Sequence, residues 1–328
     1  MVPAHTIPDP LNGKNELPRE SSKASKLAPI EPAPLNVGGR QAAIGVFDSG
    51  IGGLSVLKAL RAEMPQERFI YWADSGYAPY GERSDDFVIA RGHDITEQLL
   101  AKGPLKAVVV ACNTATAVAI ESLRTRYPHL PFIGVEPALK PALTQTKTGC
   151  VGVMGTQGTL NSTRFDNLLQ TVQTDALPKK GHFVLQACKG LALAIEKQTE
   201  KSLLDTSEVA QLCAKYVQSM GSFGHATAQI DTLVLGCTHY IFVQEILQKL
   251  VGPDVQLIST GEAVAKQTKR LITLATEVPL ASSHSSESEK IELWTTGALS
   301  SLQSAALRWL DLAPEYCHQA AAQSLSPP

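Results

Sequence analysis

The sequence predicts an α/β protein built from two pseudo-symmetric, doubly wound domains, with mostly parallel sheets and a functional cleft between them. Three observations carry that expectation. Apolar strand-like runs alternate with helix-like stretches, the pattern of parallel strands covered by helices. The pattern restarts near Cys150, and an early strand in each half ends in a glycine-rich loop, FDSGIGG and then MGTQGT. A later strand in each half runs into a cysteine, VVVACNTAT at 108–116 and LVLGCTHY at 233–240.

The elements follow in order. AAIGVFD (42–48) reads as a strand and GGLSVLKALRAEMP (52–65) as a helix with Leu57, Leu60 and Met64 on one face. RFIYWAD (68–74) is a strand, followed by the turn-rich SGYAPYGERS (75–84) and a helix over 87–101. A strand at 107–112, a helix at 116–127 and a strand at 131–136 complete the first run. The second run has strands at 150–155, 182–187 and 232–237, with helices at 159–170, 191–200, 203–220 and 241–251. Late strands are expected at 255–261 and 291–297, each followed by a helix.

Residues 1–40 hold seven of the 20 prolines and no aromatic residue, so they read as a flexible extension. LASSHSSESEK (280–290) reads as an exposed loop and 318–328 as a loose tail. The expected division is a discontinuous first domain, 41–138 plus 257–317, around a second domain at 139–256.

A chain of 328 residues with 44% hydrophobic and 18% charged residues can bury a sizeable core. Its net charge of −2 and lack of basic runs argue against nucleic acid or an anionic membrane surface as a partner. No run is long and apolar enough for a membrane span, and no signal peptide is evident, so the expected location is cytoplasmic. The six cysteines, Cys112, Cys150, Cys188, Cys213, Cys237 and Cys317, form no CxxC pair, and reduced thiols are expected.

A packing role would explain any one of these thiols. The repeated placement of Cys112 and Cys237 at strand ends, each followed closely by a hydroxyl, points to function. In open α/β sheets ligands bind at the carboxyl ends of strands, which would put both thiols at one cleft. A thiol can be tuned into a general base near neutral pH. Two facing thiols suit inversion of a carbon stereocentre, one removing a proton and the other delivering one to the opposite face. Asp48 and Ser49 fit either a helix cap or a cleft carboxylate and hydroxyl. The following GIGG allows close backbone approach to a ligand, and it matches neither the GxxxxGK[ST] nor the GxGxxG spacing. His239 either packs at a helix start or assists Cys237. Asn113 and Thr114 either cap the next helix or bind a carboxylate. No metal is expected, because CxxC and HxxxH spacings are absent.

Taken in order, IGVFDSGIGGLSVL, PYGERS, VVVACNTAT, GVEPALKPA, GTQGTLNS and LVLGCTHY resemble bacterial glutamate racemase over roughly residues 42–312. The resemblance implies two α/β domains with the site between them and cofactor-independent interconversion of L- and D-glutamate, supplying peptidoglycan synthesis and so cell shape. It implies that Cys237 takes the proton from L-glutamate and Cys112 from D-glutamate. Asp48 would assist Cys112, and His239 would assist Cys237. Asp48, Ser49, Tyr80, Gly81, Asn113, Thr114, Thr238 and His239 would bind substrate, with Glu136, Thr156 and Thr159 as further candidates. The implied partners are glutamate, a second copy of the chain and a cell-wall-precursor activator. The sequence departs from the family pattern at Ile241, where proline is usual, at Ser75–Gly76, and at CKG (188–190). Aspartate racemase or another two-cysteine racemase is the nearest alternative. GCTH rather than GCTE favours glutamate. A non-catalytic amino acid binding protein would have no need for paired thiols.

Overall fold

The computed structural model describes residues 36–37, 40–174, 181–198, 208–275 and 290–321. The chain runs β1 (Ala43–Asp48), α1 (Leu54–Glu63), β2 (Phe69–Ala73), α2 (Asp85–Ala101), β3 (Leu105–Val110), α3 (Asn113–Arg126) and β4 (Phe132–Gly134). It continues α4 (Leu139–Gln145), β5 (Cys150–Gly155), α5 (Gln157–Leu160), α6 (Thr163–Thr174), β6 (His182–Ala187), α7 (Leu191–Lys197) and α8 (Glu208–Ser219). The last run is β7 (Thr232–Gly236), α9 (Gln244–Val251), β8 (Gln256–Ile258), α10 (Gly261–Ala275), β9 (Ile291–Thr295), α11 (Leu299–Leu310) and β10 (Cys317–Gln319).

Two parallel sheets result. The first has six strands in the order β10-β9-β2-β1-β3-β4, the second four in the order β8-β7-β5-β6. All pairings within them are parallel, as the alternation of strands and helices predicts. A short antiparallel pair, Asn36–Val37 with Arg40–Gln41, precedes the first sheet.

Register decides what meets at the sheet ends. Asp48 of β1 lies opposite Ala73 of β2, and Phe47 lies opposite Val110 of β3. Asp48, Asp74 and Cys112 therefore leave the first sheet along one edge. In the second sheet Gly155 lies opposite both Gly236 and Ala187, so Thr156, Cys237 and Cys188 leave it together. One continuous apolar core joins the halves, running from Leu54, Leu57 and Leu60 of α1 to Tyr240, Phe242 and Leu247. Separate clusters cover the outer faces of the two sheets. Among the described residues, no helix is long and apolar enough to cross a membrane.

Several elements differ from the sequence reading. The third strand stops at Val110 and α3 begins at Asn113, three residues earlier than expected. Cys112 is thus the N-cap of α3 rather than the end of a strand, and its sulfur accepts the Ala115 N–H at 3.5 Å. A 3₁₀ turn at Thr238–Val243 delays α9 to Gln244. Gln256–Ile258 pairs with β7, so the chain leaves the second sheet after Ile258 rather than after 256. The tail expectation fails at its start: His318 and Gln319 lie in β10, which pairs with β9 through Leu293–Cys317, Trp294–His318 and Thr295–Gln319. Three residues carry too little periodicity to be read as a strand. Residues 1–35, the 280–289 segment and 322–328 lie outside the described residues.

Candidate active site

Helix α1 buries Leu54, Val56, Leu57 and Leu60 and stops at Glu63, with Pro65 two residues on. Its start is fixed by Asp48, whose Oδ2 accepts the Gly53 N–H at 2.6 Å. The other carboxylate oxygen, Oδ1, is buried without a hydrogen-bond partner among the described residues. Burial, reinforced by the nearby Glu196 and only partly offset by His239, raises the Asp48 pKa from 3.8 to about 6. Such a carboxyl can exchange a proton near neutral pH.

Cys112 lies beside this group. Its thiol donates to Ser49 Oγ at 3.8 Å. Burial, and then the charge of Asp48, push its pKa well above the usual thiol value, and Cys237 lies near enough to add to the effect. The first thiol is therefore held protonated. Asn113 places its Nδ2 3.5 Å from the Val135 carbonyl, while its Oδ1 is buried and unpartnered among the described residues.

Cys237 is built differently. His239 Nδ1 lies 3.8 Å from its sulfur, and His239 Nε2 lies 2.7 Å from Glu196 Oε2. Burial alone would lower the imidazole pKa. The hydrogen bonds to Cys237 and Glu196 outweigh it and raise the pKa well above 6.5. Burial likewise opposes ionisation of Glu196, but His239, Ser75 and the Ile51 N–H hold its pKa below 4.5. Glu196 accepts from Ser75 Oγ at 2.5 Å and from Ile51 N at 2.9 Å. An imidazolium–carboxylate pair thus stands beside the second sulfur.

Thr238 joins the two arrangements: its Oγ1 donates to Asp48 Oδ2 at 3.3 Å. The glycines of GIGG serve this junction. A Cβ on Gly52 would lie 2.5 Å from His239 Nδ1 and 2.6 Å from Thr238 Oγ1. What approaches the backbone at Gly52 is therefore the second half of the protein. The sequence reading had a ligand approaching there.

A second junction is made of hydroxyls. Thr156 caps α5, and its Oγ1 lies 2.9 Å from Thr114 Oγ1 and 2.8 Å from Thr159 Oγ1. Thr114 and Thr159 are 3.4 Å apart. Gly81 packs directly on Thr156, where a Cβ would come within 2.6 Å. Tyr80 is buried, and its hydroxyl is spent on Asp74 at 2.5 Å, so its side chain is committed away from the threonines. Glu136 is apart from both thiol arrangements. Its carboxylate is 39% exposed and pairs with Arg164 at 2.6 Å.

The sequence reading passed over Glu196, Ser75, Asp74 and Arg91. Glu196 left one signal, a carboxylate in the mostly apolar LALAIEK of α7. In the sequence Ser75 stands out only as a departure from the family pattern.

Residues 54–268 match the family model described as Asp/Glu/Hydantoin racemase. The chain is 47% identical over 232 residues to the glutamate racemase of Ectopseudomonas mendocina, covering 71% of this chain and 82% of that one. It is 45% identical to that of Herpetosiphon aurantiacus, covering 71% and 85%. Among solved structures it is similar to a glutamate racemase isoform from Bacillus anthracis, with a TM-score of 0.69, 31% identity, and coverage of 86% of this chain and 98% of that one. It is also similar to the Escherichia coli glutamate racemase in complex with L-glutamate and the activator UDP-MurNAc-ala, with a TM-score of 0.68, 28% identity, and coverage of 82% and 95%. With its two parallel sheets and a family match spanning well over half its length, the chain belongs to the Asp/Glu/hydantoin racemase family, among the glutamate racemases.

Proposed function

We propose that this racemase interconverts L- and D-glutamate by a cofactor-independent, two-thiol mechanism. The observation that carries the reading is the pairing of each buried thiol with its own titratable partner. Cys112 lies beside Asp48, Cys237 lies beside His239, and Thr238 links the two.

With L-glutamate, Cys237 as thiolate removes the α-proton. The His239 imidazolium, held by Glu196, is the counter-ion that this thiolate needs. Cys112, kept protonated by burial, delivers its proton to the opposite face of the carbanion. One S–H bond forms, one breaks, and the centre inverts. From D-glutamate the roles exchange, and Asp48 receives the proton that Cys112 must shed. Ser49, Asn113, Thr114, Thr238 and backbone N–H groups at the strand ends stabilise the enolate-like charge. The unpartnered Oδ1 atoms of Asp48 and Asn113 are acceptors for the substrate ammonium. Substrate carboxylate oxygens replace the mutual bonds of Thr114, Thr156 and Thr159 and meet the backbone of Tyr80–Gly81. Glu136, turned to Arg164, has no part in this scheme.

The product is assigned to peptidoglycan synthesis, and so to cell shape, in the cytoplasm. A cell-wall precursor of the kind bound by the Escherichia coli enzyme is the activator to test, and a homodimer the assembly to test. The division into domains at 41–138 plus 257–317 and 139–256 is retained, with the second boundary moved past Ile258.

Chiral chromatography of purified protein with L-glutamate, without pyridoxal phosphate, tests the reading, with L-aspartate in parallel. Racemisation of glutamate is expected, and its loss in both Cys112→Ala and Cys237→Ala. Full activity in either variant, or a preference for aspartate, would overturn it.

A further inference from the structure

Asp74 leaves β2 fully buried, and its carboxylate gathers four donors. Arg91 of α2 supplies two, Nε to Oδ2 at 2.8 Å and Nη2 to Oδ1 at 2.7 Å. The Tyr80 hydroxyl donates to Oδ2 at 2.5 Å, and Thr296 Oγ1 donates to Oδ1 at 2.9 Å. A planar, bidentate guanidinium fixes the rotation of the carboxylate as well as neutralising it.

Arg91 is itself held from two further sides. Its guanidinium carbon lies 3.9 Å from the Tyr77 ring centroid, and Nη1 donates to Asp94 Oδ2 at 3.1 Å. Burial would lower its pKa, but Asp74 outweighs it and raises the value, so the charge is permanent. Burial and the negative charge of Asp74 keep the Tyr80 hydroxyl protonated, so it can only donate to that carboxylate. One guanidinium therefore ties both ends of the segment from Tyr77 to Tyr80, Tyr77 by its ring face and Tyr80 through Asp74. The next residue, Gly81, is the one pressed against Thr156 across the junction.

We infer that Arg91 is a positioning residue for substrate binding. Acting through Asp74 and Tyr80, it sets the height of the Tyr80–Gly81 backbone against the substrate and Thr156. The inference rests on the proposed racemisation of glutamate in this cleft.

Arg91→Lys keeps the charge but loses the fork and the flat face over Tyr77. The expected result is a KM for glutamate raised by about tenfold, with kcat changed by less than about threefold. Tyr80→Phe, which removes one hydroxyl, is expected to shift KM in the same direction. The double variant should then match Arg91→Lys, because both act on one linkage. An unchanged KM in Arg91→Lys, multiplying effects in the double variant, or a fall in folded fraction and kcat at constant KM would overturn the inference. Should Arg91→Lys not fold, Tyr80→Phe with an unchanged KM overturns it alone.

Hydrogen exchange separates this inference from the reading beneath it. Amides of residues 77–84 should exchange about tenfold faster in Arg91→Lys, while those of 105–116 stay unchanged. Wild-type protein that leaves glutamate unaltered would count against the proposed function, and equal exchange in 77–84 against the role of Arg91.

Discussion

His239 and Glu196 form a largely buried pair at 2.7 Å, brought together where the 3₁₀ turn after β7 packs on α7. Ser75 and Ile51 of the first half hold the same carboxylate. The pair that serves the second thiol is therefore completed by the first half of the chain.

Glu196→Gln removes one of the two partners, with Cys237, that raise the His239 pKa. A loss in kcat/KM of about 10²-fold is expected, the lower range for a disrupted acid–base group. The loss must be equal for L- and D-glutamate, because the two enantiomers are equally stable and the ratio of the two kcat/KM values is fixed. Asymmetry belongs in the individual kcat values, measured by circular dichroism from each direction.

Asp48 predicts an acid limb. Its pKa of about 6 means that it is protonated below that value and ionised above it. If ionised Asp48 assists Cys112, kcat/KM rises with pH through about 6. Asp48→Asn should flatten that limb and lower the plateau. A wild-type profile flat between pH 5 and 7 would sink the assignment.

The same shift has a stability consequence of definite sign. From pH 3.8 to about 6 the folded state binds the Asp48 proton more tightly than the unfolded state does. Stability therefore falls as pH rises through that window, by about 3 kcal/mol for this group. Asp48→Asn should melt higher than wild type at pH 8, and the difference should vanish near pH 4. His239 behaves in the ordinary way for a raised histidine. Its contribution is complete below 6.5 and is lost as pH climbs through its higher folded value, so Glu196→Gln should shrink the alkaline part of the melting profile.

Gly52→Ala is expected to be costly despite adding one methyl. The new Cβ would meet His239 Nδ1 at 2.5 Å and Thr238 Oγ1 at 2.6 Å. Overpacking of this kind costs about 1–3 kcal/mol, read as a lowered Tm, and displacement of the imidazole should lower kcat further.

Thr156→Val removes the central hydroxyl of the threonine cluster and the cap of α5. The cap is worth about 1 kcal/mol, visible as a modest fall in Tm. Loss of a hydrogen bond to a charged substrate group should raise KM by about tenfold with a smaller change in kcat.

Much of the fold was legible because hydrophobic periodicity reports local structure directly. The valine run at 108–110, the Leu57, Leu60 and Met64 face and the restart at Cys150 each name an element without reference to the rest of the chain. Boundaries were less legible where side chains compete with backbone. Cys112 caps α3 with its sulfur, and no propensity scale marks cysteine as a cap. β10 is three residues held by pairing with β9, so its strand character comes from a neighbour.

By itself the sequence determined the alternation of strands and helices, the two parallel halves, and the paired thiols, with His239 two residues after Cys237 and Asp48 at the end of an earlier strand. Those are short-range patterns, and short-range patterns are written in order along a chain. Only the tertiary structure decided that Glu196 backs His239, that Arg91 reaches Tyr80 through Asp74, and that Thr238 bonds Asp48 across 190 positions. It also decided that the two thiols sit in unlike electrostatic surroundings, one under a buried carboxyl and one beside an imidazolium. Burial and long-range contact set proton affinities, and neither exists until the two sheets close on each other.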